Sequence, residues 1–369
     1  MKIAILGTRG IPNRYGGFEA FAEKLSLCLA ERGHEVTVYC RRAFTRPGDD
    51  KLIDPRVRRV ILPSISAKHL DTPFNGLLSA LCVSLTGSDV ILMCNVGNSP
   101  VAWIPRLFGK PVALNVDGLD RQRRKWGWLA TAYLHFCEWL SVHTPTRVVT
   151  DARAVQAYYR SRYGKESSMI AYGATVPKLD APTAPDSVLA RFSLKPKQYV
   201  LYVSRLEPEN NPELVIRGYE QSDVPWPLVI VGGNDYRPGY VEQLRALAGK
   251  NVVFTGAIYG DGYWELQRNA GMFIFACEVG GIHPALIETM ACGNAALYLD
   301  TESNRETAGD HGIAFDRDEQ SLAGKITQLV NHPELRAQLG QSAAEFARQN
   351  YGWEQVTEKY EALFAEMLK

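Results

Sequence analysis

The stretch Met1-Lys-Ile-Ala-Ile-Leu-Gly-Thr-Arg-Gly-Ile-Pro-Asn-Arg-Tyr-Gly-Gly17 opens the chain. Its first six residues form a short apolar run, typical of a buried parallel strand, and a glycine-rich loop follows. Residues 18–32 are amphipathic and end at Gly33, and residues 34–40 alternate as a second strand does. This order predicts a βαβ unit whose first loop lies at the carboxyl edge of a parallel sheet, where such folds bind ligands.

The glycine-rich loop differs from the dinucleotide fingerprint. Gly7 and Gly10 give G-x-x-G rather than G-x-G-x-x-G, and the pair Gly16-Gly17 lies far from the strand. A nicotinamide-dependent enzyme is therefore disfavoured, although it stays as an alternative.

The same alternation of strands and helices runs along the whole chain. Further strands are predicted at 57–62, 90–94, 112–116, 148–150, 199–203, 228–231, 252–255 and 272–276, with helices at 212–220 and 263–269. The segment 177–197 is rich in proline and polar residues, as an interdomain connection is. We predict two doubly wound α/β domains, 1–175 and 176–352, that face each other across a cleft, with helix 353–369 packed on either one.

Composition is compatible with two folded domains. The chain has 369 residues, of which 46% are hydrophobic and 22% are charged. Residues 1–175 contain 24 Lys and Arg against 14 Asp and Glu, and the remainder contains 17 against 26. The basic first half is balanced by an acidic second half, and no nucleic-acid-binding signature is found, so a nucleic-acid partner is not expected.

A basic and aromatic segment lies in the first half. Arg121, Arg123, Arg124 and Lys125 precede Trp126 and Trp128, and apolar residues follow at helical spacing. One interpretation is peripheral contact of Arg121–Trp128 with anionic lipid headgroups, and the other is a solvated turn before a core helix.

The remaining composition predicts a cytoplasmic protein, peripheral at most on the inner face of the plasma membrane. Seven scattered cysteines without a C-x-x-C pair read as reduced core thiols. No signal peptide and no run of about 18 apolar residues is found.

The segment Glu278-Val-Gly-Gly-Ile-His-Pro-Ala-Leu-Ile-Glu-Thr-Met-Ala-Cys-Gly-Asn294 indicates a diphosphate site. Two glycines run into an apolar helix that contains Glu288. Unpaired N–H groups and the helix dipole at its first turn attract anions, and a carboxylate one turn further in can accept bonds from sugar hydroxyls. The alternative is a tight turn without a ligand.

Five motifs in this order resemble retaining glycosyltransferases of family 4, which have the two-domain GT-B fold. The resemblance covers nearly the whole chain. The opening loop and the segment around Arg205 look like the branch of rhamnosyltransferases of bacterial surface-polysaccharide assembly. The motifs are Gly16-Gly-Phe-Glu19, Ser204-Arg-Leu-Glu-Pro-Glu-Asn-Asn211, Phe254-Thr-Gly256, the segment 280–293 and Tyr351-Gly-Trp353.

The resemblance implies that Arg205 contacts the donor diphosphate, a role that suits a guanidinium fork. The alternative is a structural arginine paired with Glu207 or Glu209. Members of the family usually have a lysine where this chain has Asn210, so one phosphate charge is missing.

The resemblance also implies that Glu288 binds the ribose, as the second glutamate of the family's E-x7-E motif. The first glutamate falls on Gly280 and is absent. Glu278 and His283 are the candidates for its contact with the donor sugar. The alternatives are that Glu288 only partners the helix dipole and that His283 only shapes the turn.

Backbone groups complete the predicted donor site. Amides at the helix start and in the first glycine turn take part in leaving-group stabilisation, and the loop after residue 255 holds the nucleobase, as in relatives. These positions are Gly16, Gly17, Gly256, Ala257, Ile258, Gly280, Gly281 and Ile282.

Asp117 follows a predicted strand at a place where relatives often have a histidine near the donor sugar. It is a candidate catalytic residue that contacts the transferring sugar or the acceptor hydroxyl, and the alternative is a helix N-cap. Asp316-Arg-Asp318 is formally a D-x-D triplet, but its place before a helix favours capping. We expect no cofactor and no catalytic metal, since helix N-termini and an arginine can neutralise a diphosphate.

These observations predict a retaining glycosyltransferase. The preferred donor is dTDP-L-rhamnose, from branch resemblance alone, and the acceptor is a hydroxyl of a glycan or of a lipid-diphosphate-linked glycan. The donor is expected on the second domain and the acceptor on the first. A nucleotide-sugar epimerase or hydrolase of the same fold and a non-catalytic nucleotide-sugar-binding subunit stay as alternatives.

Overall fold

The computed structural model describes residues 1–14, 16–65, 71–118, 127–174, 176, 187–234 and 237–369. The chain divides into two compact units. Unit 1 consists of Met1–Gly173 and Trp353–Lys369, and unit 2 consists of Ala174–Gly352.

Unit 1 is built on a seven-stranded parallel sheet with the order β3-β2-β1-β4-β5-β6-β7. The central strands β1 and β4 are apolar and almost wholly buried, as expected for strands that are covered on both faces. The strands are β1 (Lys2–Leu6), β2 (Glu35–Arg41), β3 (Val57–Leu62), β4 (Val90–Cys94), β5 (Val112–Asn115), β6 (Arg147–Thr150) and β7 (Ser168–Met169).

Within the described residues, five α-helices connect these strands: α1 (Gly17–Glu31), α2 (Asp71–Ser84), α3 (Ile104–Leu107), α4 (Trp128–Ser141) and α5 (Arg153–Tyr163). The helix α1 joins β1 to β2, whereas α2 to α5 belong to connections that run in the opposite direction across the sheet. Because parallel crossovers are right-handed, α1 covers one face of the sheet and α2 to α5 cover the other.

Unit 2 has a six-stranded parallel sheet with the order β10-β9-β8-β11-β12-β13. Its strands are β8 (Val200–Val203), β9 (Leu228–Val231), β10 (Val252–Gly256), β11 (Met272–Phe275), β12 (Ala296–Leu299) and β13 (Ile313–Phe315). Its helices are α6 (Val188–Arg191), α7 (Pro212–Ser222), α8 (Pro238–Leu247), α9 (Asp261–Asn269), α10 (Pro284–Ala291), α11 (Glu302–Ala308), α12 (Glu319–Asn331) and α13 (Pro333–Asn350).

The last helix, α14 (Trp353–Met367), packs on α1 of unit 1. The ring of Phe21 lies 6.2 Å from the ring of Trp353 and 5.6 Å from that of Tyr360. The amide of Asn115 at the end of β5 donates to the Tyr360 hydroxyl at 3.2 Å. The chain therefore completes unit 1 only after it has passed through unit 2.

The predicted fold class is confirmed in both units, and the predicted strands 57–62, 90–94 and 228–231 have the observed bounds. The sequence missed helix α8, because a proline and a glycine at its first turn masked its periodicity. The predicted connection 177–197 was too long: residues 177–186 lie outside the described residues, but Leu189 and Leu194 are buried in unit 2.

Each sheet has a point at which the strand order reverses, between β1 and β4 in unit 1 and between β8 and β11 in unit 2. The loops after such strands diverge to opposite faces of the sheet and leave a crevice at its carboxyl edge. The motifs at residues 7–17, 204–211 and 278–283 follow β1, β8 and β11.

Candidate functional site

The loops after β8 and β11 are hydrogen-bonded to each other at the reversal point of unit 2. The backbone N–H of Glu278 donates to the carbonyl of Glu209 at 3.0 Å. The side-chain amide of Asn211 donates to the carbonyl of Ala276 at 2.9 Å and to the carboxylate of Glu278 at 2.8 Å. These bonds bring the loops that contain Arg205 and Gly280 to one place on the sheet edge.

Arg205 is partly exposed and lies in a turn that its neighbours support. The amide nitrogen of Asn210 donates to the Arg205 carbonyl at 2.6 Å, and the Tyr202 hydroxyl donates to the Asn210 carbonyl at 2.6 Å. Asn210 is itself buried. Its side chain therefore holds the backbone of the turn, a role that the sequence did not foresee for the position where relatives have a lysine.

The alternative for Arg205 is a structural pair with Glu207 or Glu209, and the surroundings of Glu209 speak against a hydrogen-bonded pair with that residue. Glu209 is fully buried, and neither of its carboxylate oxygens has a hydrogen-bond partner among the described residues. The same is true of one carboxylate oxygen of Glu207. No hydrogen bond of Arg205 therefore reaches Glu209.

Glu278 is held by two groups that sequence reasoning missed. Its Oε1 accepts the Asn211 amide and also forms an ion pair of 2.6 Å with the guanidinium of Arg317. Arg317 is the middle residue of the D-x-D triplet. Its contact with Glu278 joins the loop after β13 to the loop after β11, which no spacing in the sequence could indicate.

The glycine turn before α10 is close-packed. A Cβ on Gly280 would overlap the ring of His283, which itself lies 4.8 Å from the ring of Phe275. The hydroxyl of Ser303 donates to the Gly280 carbonyl at 2.7 Å. His283 is the N-cap residue of α10, and Gly281 and Ile282 are buried. A side chain at position 280 would require the His283 ring to move.

Glu288 lies in the second turn of α10 and is partly exposed. Desolvation of its carboxyl group raises the pKa of Glu288 to about 7, although the hydrogen bond from the Tyr263 hydroxyl lowers this pKa in part. The amide of Gln267 donates to the same hydroxyl at 2.9 Å. Sequence reasoning missed this pair on α9, because 25 residues separate Tyr263 from Glu288.

The predicted nucleobase loop begins at the end of β10. Gly256 has a φ of +73°, which favours glycine, and its carbonyl accepts the backbone N–H of Gly232 at 3.0 Å. Ala257 is exposed and Ile258 is partly exposed. Because α9 follows this loop and contains Tyr263, the loop and Glu288 belong to one connected region of unit 2.

Gly16 and Gly17 belong to unit 1, where they start α1. The carboxylate of the buried Glu19 accepts the backbone N–H of Arg9 at 2.9 Å, and burial raises the pKa of Glu19 above its usual range. The loop after β1 is thus tied to the first turn of α1.

Asp117 follows β5 of unit 1 and adopts a positive φ of 58°. Its backbone N–H donates to the Asn115 side chain at 3.0 Å, and its carboxylate accepts the Tyr172 hydroxyl at 3.1 Å. The next described helix, α4, has Gly127 as its N-cap. Among the described helices, Asp117 therefore caps none.

The capping role predicted for the D-x-D triplet is confirmed. The Asp318 side chain accepts the backbone N–H of Ser321 at 2.7 Å and caps α12. Within the described ranges, no group of three or more His, Cys, Asp or Glu residues is placed to hold a metal ion.

Two family descriptions match the chain. Residues 16–173 match the "Glycosyl transferase 4-like domain", and residues 190–346 match "Glycosyl transferases group 1". Together they span both units. The chain belongs to the glycosyltransferases.

Relatives of this glycosyltransferase are distant in sequence. An uncharacterized glycosyltransferase of Methanocaldococcus jannaschii is 24% identical over 238 residues, which cover 60% of this chain and 58% of that protein. The sucrose-phosphate synthase of Thermosynechococcus elongatus has a TM-score of 0.80 and 19% identity, and the match covers 99% of this chain and 98% of that chain. The Anabaena protein HepE, solved in complex with UDP-glucose, has a TM-score of 0.76 and 15% identity, covering 99% of this chain and 100% of that chain. These likenesses show the GT-B fold.

Two predictions concern membranes. No helix in the described part of the glycosyltransferase is both long and apolar enough to span a bilayer. Of the predicted contact segment Arg121–Trp128, residues 121–126 lie outside the described residues, and Trp128 is 78% exposed at the start of α4.

Proposed function

We propose that this glycosyltransferase moves L-rhamnose from dTDP-L-rhamnose to a hydroxyl of a glycan or of a lipid-linked glycan, with retention of the anomeric configuration. The observation that carries the nucleotide-sugar part is the contact between the Arg205 loop and the loop of the Gly280 turn at the carboxyl edge of unit 2, with Glu288 in the helix that follows this turn. The choice of dTDP-rhamnose rests on the resemblance of the opening loop and the Arg205 segment to the rhamnosyltransferase branch.

The diphosphate part of the donor fits the reversal point between β8 and β11. The partly exposed guanidinium of Arg205 can form a bidentate contact with phosphate oxygens. The start of α10 adds the positive end of the helix dipole and the backbone N–H of Ala285. Pro284 has no N–H, and the N–H groups of Leu286 and Ile287 donate to the His283 carbonyl. The guanidinium of Arg317 compensates the charge of Glu278 beside this place. We propose that the site binds the diphosphate without a metal ion.

The deoxyribose part of the donor fits Glu288. An ionised carboxylate can accept a hydrogen bond from the 3′-hydroxyl of the deoxyribose, and the Tyr263 hydroxyl fixes one of its oxygens. HepE, of the same fold, was solved with UDP-glucose, which has the same diphosphate group and a ribose in place of the deoxyribose. The loop Gly256–Ile258 is proposed to hold the base.

The transfer requires no covalent enzyme intermediate. The acceptor oxygen forms a bond to the anomeric carbon as the bond from that carbon to the β-phosphate oxygen breaks. The acceptor proton passes to the departing diphosphate on the same face, and the product is dTDP. Stabilising the leaving diphosphate lowers the barrier, which is the proposed role of Arg205 and of the start of α10.

Calorimetric titration with dTDP-rhamnose, UDP-glucose and GDP-mannose tests the proposal. We expect dTDP-rhamnose to bind most tightly, with or without EDTA, and Arg205→Ala and Glu288→Gln to weaken it. Arg217→Ala on the exposed side of α7 is the matched control and should bind as the wild type does. If no nucleotide sugar binds, or if both variants bind as the wild type does, the proposal is wrong.

A non-catalytic nucleotide-sugar-binding subunit is the second candidate. The observation in its favour is Asn210, whose buried side chain supports the Arg205 turn at the position where relatives supply a phosphate-binding lysine. Donor binding without release of dTDP over a panel of glycan acceptors would favour this candidate.

We further propose that a lipid-linked acceptor keeps the protein at the inner face of the plasma membrane. The basic and aromatic sequence of Arg121–Trp128 predicts that this segment contacts anionic lipid headgroups.

A further inference from the structure

The helix α2 of unit 1 exposes its large apolar residues to the solvent. Its outer residues recur at helical spacing and are large and apolar, with Leu77 exposed by 44% and Leu81 by 46%. Its inner residues are small or polar: Asn75, Gly76, Ser79, Ala80, Val83 and Ser84. A surface helix of a protein in water normally buries its apolar stripe and exposes its polar one. In α2 this arrangement is reversed.

The helix α4 shows the same reversal. It buries Leu134, Cys137, Glu138 and Ser141. The carboxylate of Glu138 accepts the hydroxyls of Tyr158 and Tyr163 at 2.6 and 2.7 Å, so the acid of this helix is bonded inside the unit. The outer side presents Trp128, Leu129, Tyr133, Phe136 and Trp139.

The short helix α3 lies between these two helices in the chain and also carries apolar residues outward. Trp103, Leu107 and Phe108 are exposed by 46%, 73% and 53%. Contacts join α3 to α2, and Arg106 of α3 donates to the carbonyl of Thr144 just after α4 at 2.7 Å. Since α2, α3 and α4 cover the same face of the sheet, their outer side chains form one surface, which we call the inverted face.

The inverted face carries no exposed carboxylate on its three helices. Asp71 at the start of α2 is paired with Arg41 at 2.6 Å, and Glu138 is buried. Arg106 is exposed there, and the basic run 121–125 directly precedes α4 in the sequence. Unit 1 as a whole contains 26 Lys and Arg against 18 Asp and Glu. Its charge therefore complements an anionic surface.

We propose that the inverted face inserts into the headgroup and upper acyl region of an anionic lipid bilayer. Tryptophan and tyrosine at the edge of an apolar patch prefer the boundary between water and lipid, and basic residues beside them favour anionic headgroups. Large contiguous apolar surfaces on soluble proteins mark interaction sites. The net positive charge of unit 1 favours anionic lipid over a second copy of unit 1, which would bring like charges together.

This inference deepens the proposed location at a membrane and rests on that part of the proposed function, but its observations come from unit 1 and do not depend on the proposed transfer reaction. Vesicle flotation of the full chain tests this inference. The vesicles consist of phosphatidylcholine with about 30 mol% phosphatidylglycerol, which is enough for an anionic surface potential. We expect most of the protein to float at low salt and a smaller fraction with pure phosphatidylcholine. The double substitution Leu77→Glu and Leu81→Glu should weaken partitioning by more than about tenfold, because each leucine contributes burial of apolar surface.

The matched control is Leu52→Glu, which changes an exposed leucine of unit 1 outside the three helices. It should float as the wild type does, and circular dichroism and Tm should show that all three proteins are folded. Equal flotation of the double variant and the control would overturn the proposal. The proposal would also be overturned if the wild-type protein did not bind vesicles but formed a dimer in light scattering that the double variant lost. A second copy of the chain would then cover the inverted face. Calorimetry of donor binding is independent of either result.

Discussion

The helices α2 of unit 1 and α7 of unit 2 cover sheets of the same parallel type, yet they turn opposite sides to them. The helix α7 buries Val215, Ile216 and Tyr219 and exposes charged residues such as Arg217. The helix α2 buries Asn75 and Ser79 and exposes leucines. The comparison teaches that one fold, used twice in a chain, can place its two copies in different surroundings. The periodicity of apolar residues along a helix indicates that the helix packs on a sheet. Whether the apolar side faces the sheet or the solvent indicates the surroundings of the helix.

The largest effect should come from the buried side of α7. Ile216→Ala removes a fully buried side chain from the core of unit 2 and should lower the free energy of unfolding by about 2–5 kcal/mol. Urea denaturation measures it. A loss below about 0.5 kcal/mol, the range of surface substitutions, would break the comparison by showing that α7 is not anchored by this stripe.

The donor site should respond to Arg205→Ala with a loss of about 10- to 100-fold in donor affinity, because a charge-assisted bond to a phosphate contributes about 1.5–3 kcal/mol. Transfer activity should fall at least as far, since the same contact stabilises the leaving group. Calorimetry and a dTDP-release assay measure the two. Unchanged donor affinity of the variant would show that the diphosphate does not bind at the reversal point of unit 2.

Gly280→Ala should disturb the turn before α10, because the added Cβ overlaps the His283 ring. We expect a destabilisation of about 1–3 kcal/mol, as for other overpacked sites, and weaker donor binding. Gly239→Ala on α8 is the control, since a Cβ there meets no atom within 4 Å. Equal Tm values of the two variants in thermal unfolding would contradict the close packing of the turn.

Glu288 should give donor binding a pH dependence, if it contacts the donor as proposed. Its pKa of about 7 is above the ordinary value of 4.5, so its contribution to folding stability is greatest at acidic pH and declines as the pH rises from about 4.5 through 7. Donor binding should show the opposite trend, because the ionised carboxylate is the better acceptor for the 3′-hydroxyl of the deoxyribose. Affinity should fall by up to about tenfold between pH 8 and pH 6. Glu288→Gln should flatten this profile, and a wild-type profile that is already flat would exclude Glu288 from the deoxyribose contact.

The smallest effect should come from the outer side of α2. Leu81→Ala removes a side chain that is 46% exposed, and the free energy of unfolding in water should change by less than about 0.5 kcal/mol. The same substitution should reduce vesicle binding measurably. A destabilisation as large as that of Ile216→Ala would show that Leu81 packs within the folded protein in solution, which would remove the contrast between α2 and α7.

Much of the fold could be predicted because buried parallel strands are short apolar runs with clear ends, such as 90–94 and 228–231. The carboxyl edge of the second sheet could also be predicted, since Arg205 and the Gly280 turn directly follow strands. The partners of the key side chains could not. Tyr263 reaches Glu288 from another helix, and Arg317 reaches Glu278 from the loop after the edge strand β13.

The direction of α2 and α4 was equally hidden. Periodicity along the sequence defines an apolar stripe, but it does not state whether that stripe faces the sheet. The sequence indicated an aromatic segment at 121–128 and left open whether it begins a core helix. The structure shows which side of α4 faces inward, because Leu134, Cys137, Glu138 and Ser141 are buried. The carboxylate of Glu138 is bonded there to Tyr158 and Tyr163.

The packing of α14 on α1 has a consequence for biosynthesis. During translation, residues 1–173 leave the ribosome before any of unit 2, but Trp353 and Tyr360, which lie against Phe21, follow after all of it. Until then the nascent first unit exposes the aromatic surface around Phe21 that α14 later covers. The first unit to be synthesised is therefore the last that can mature, and chaperones that bind exposed aromatic surface have a target there for as long as unit 2 is being made.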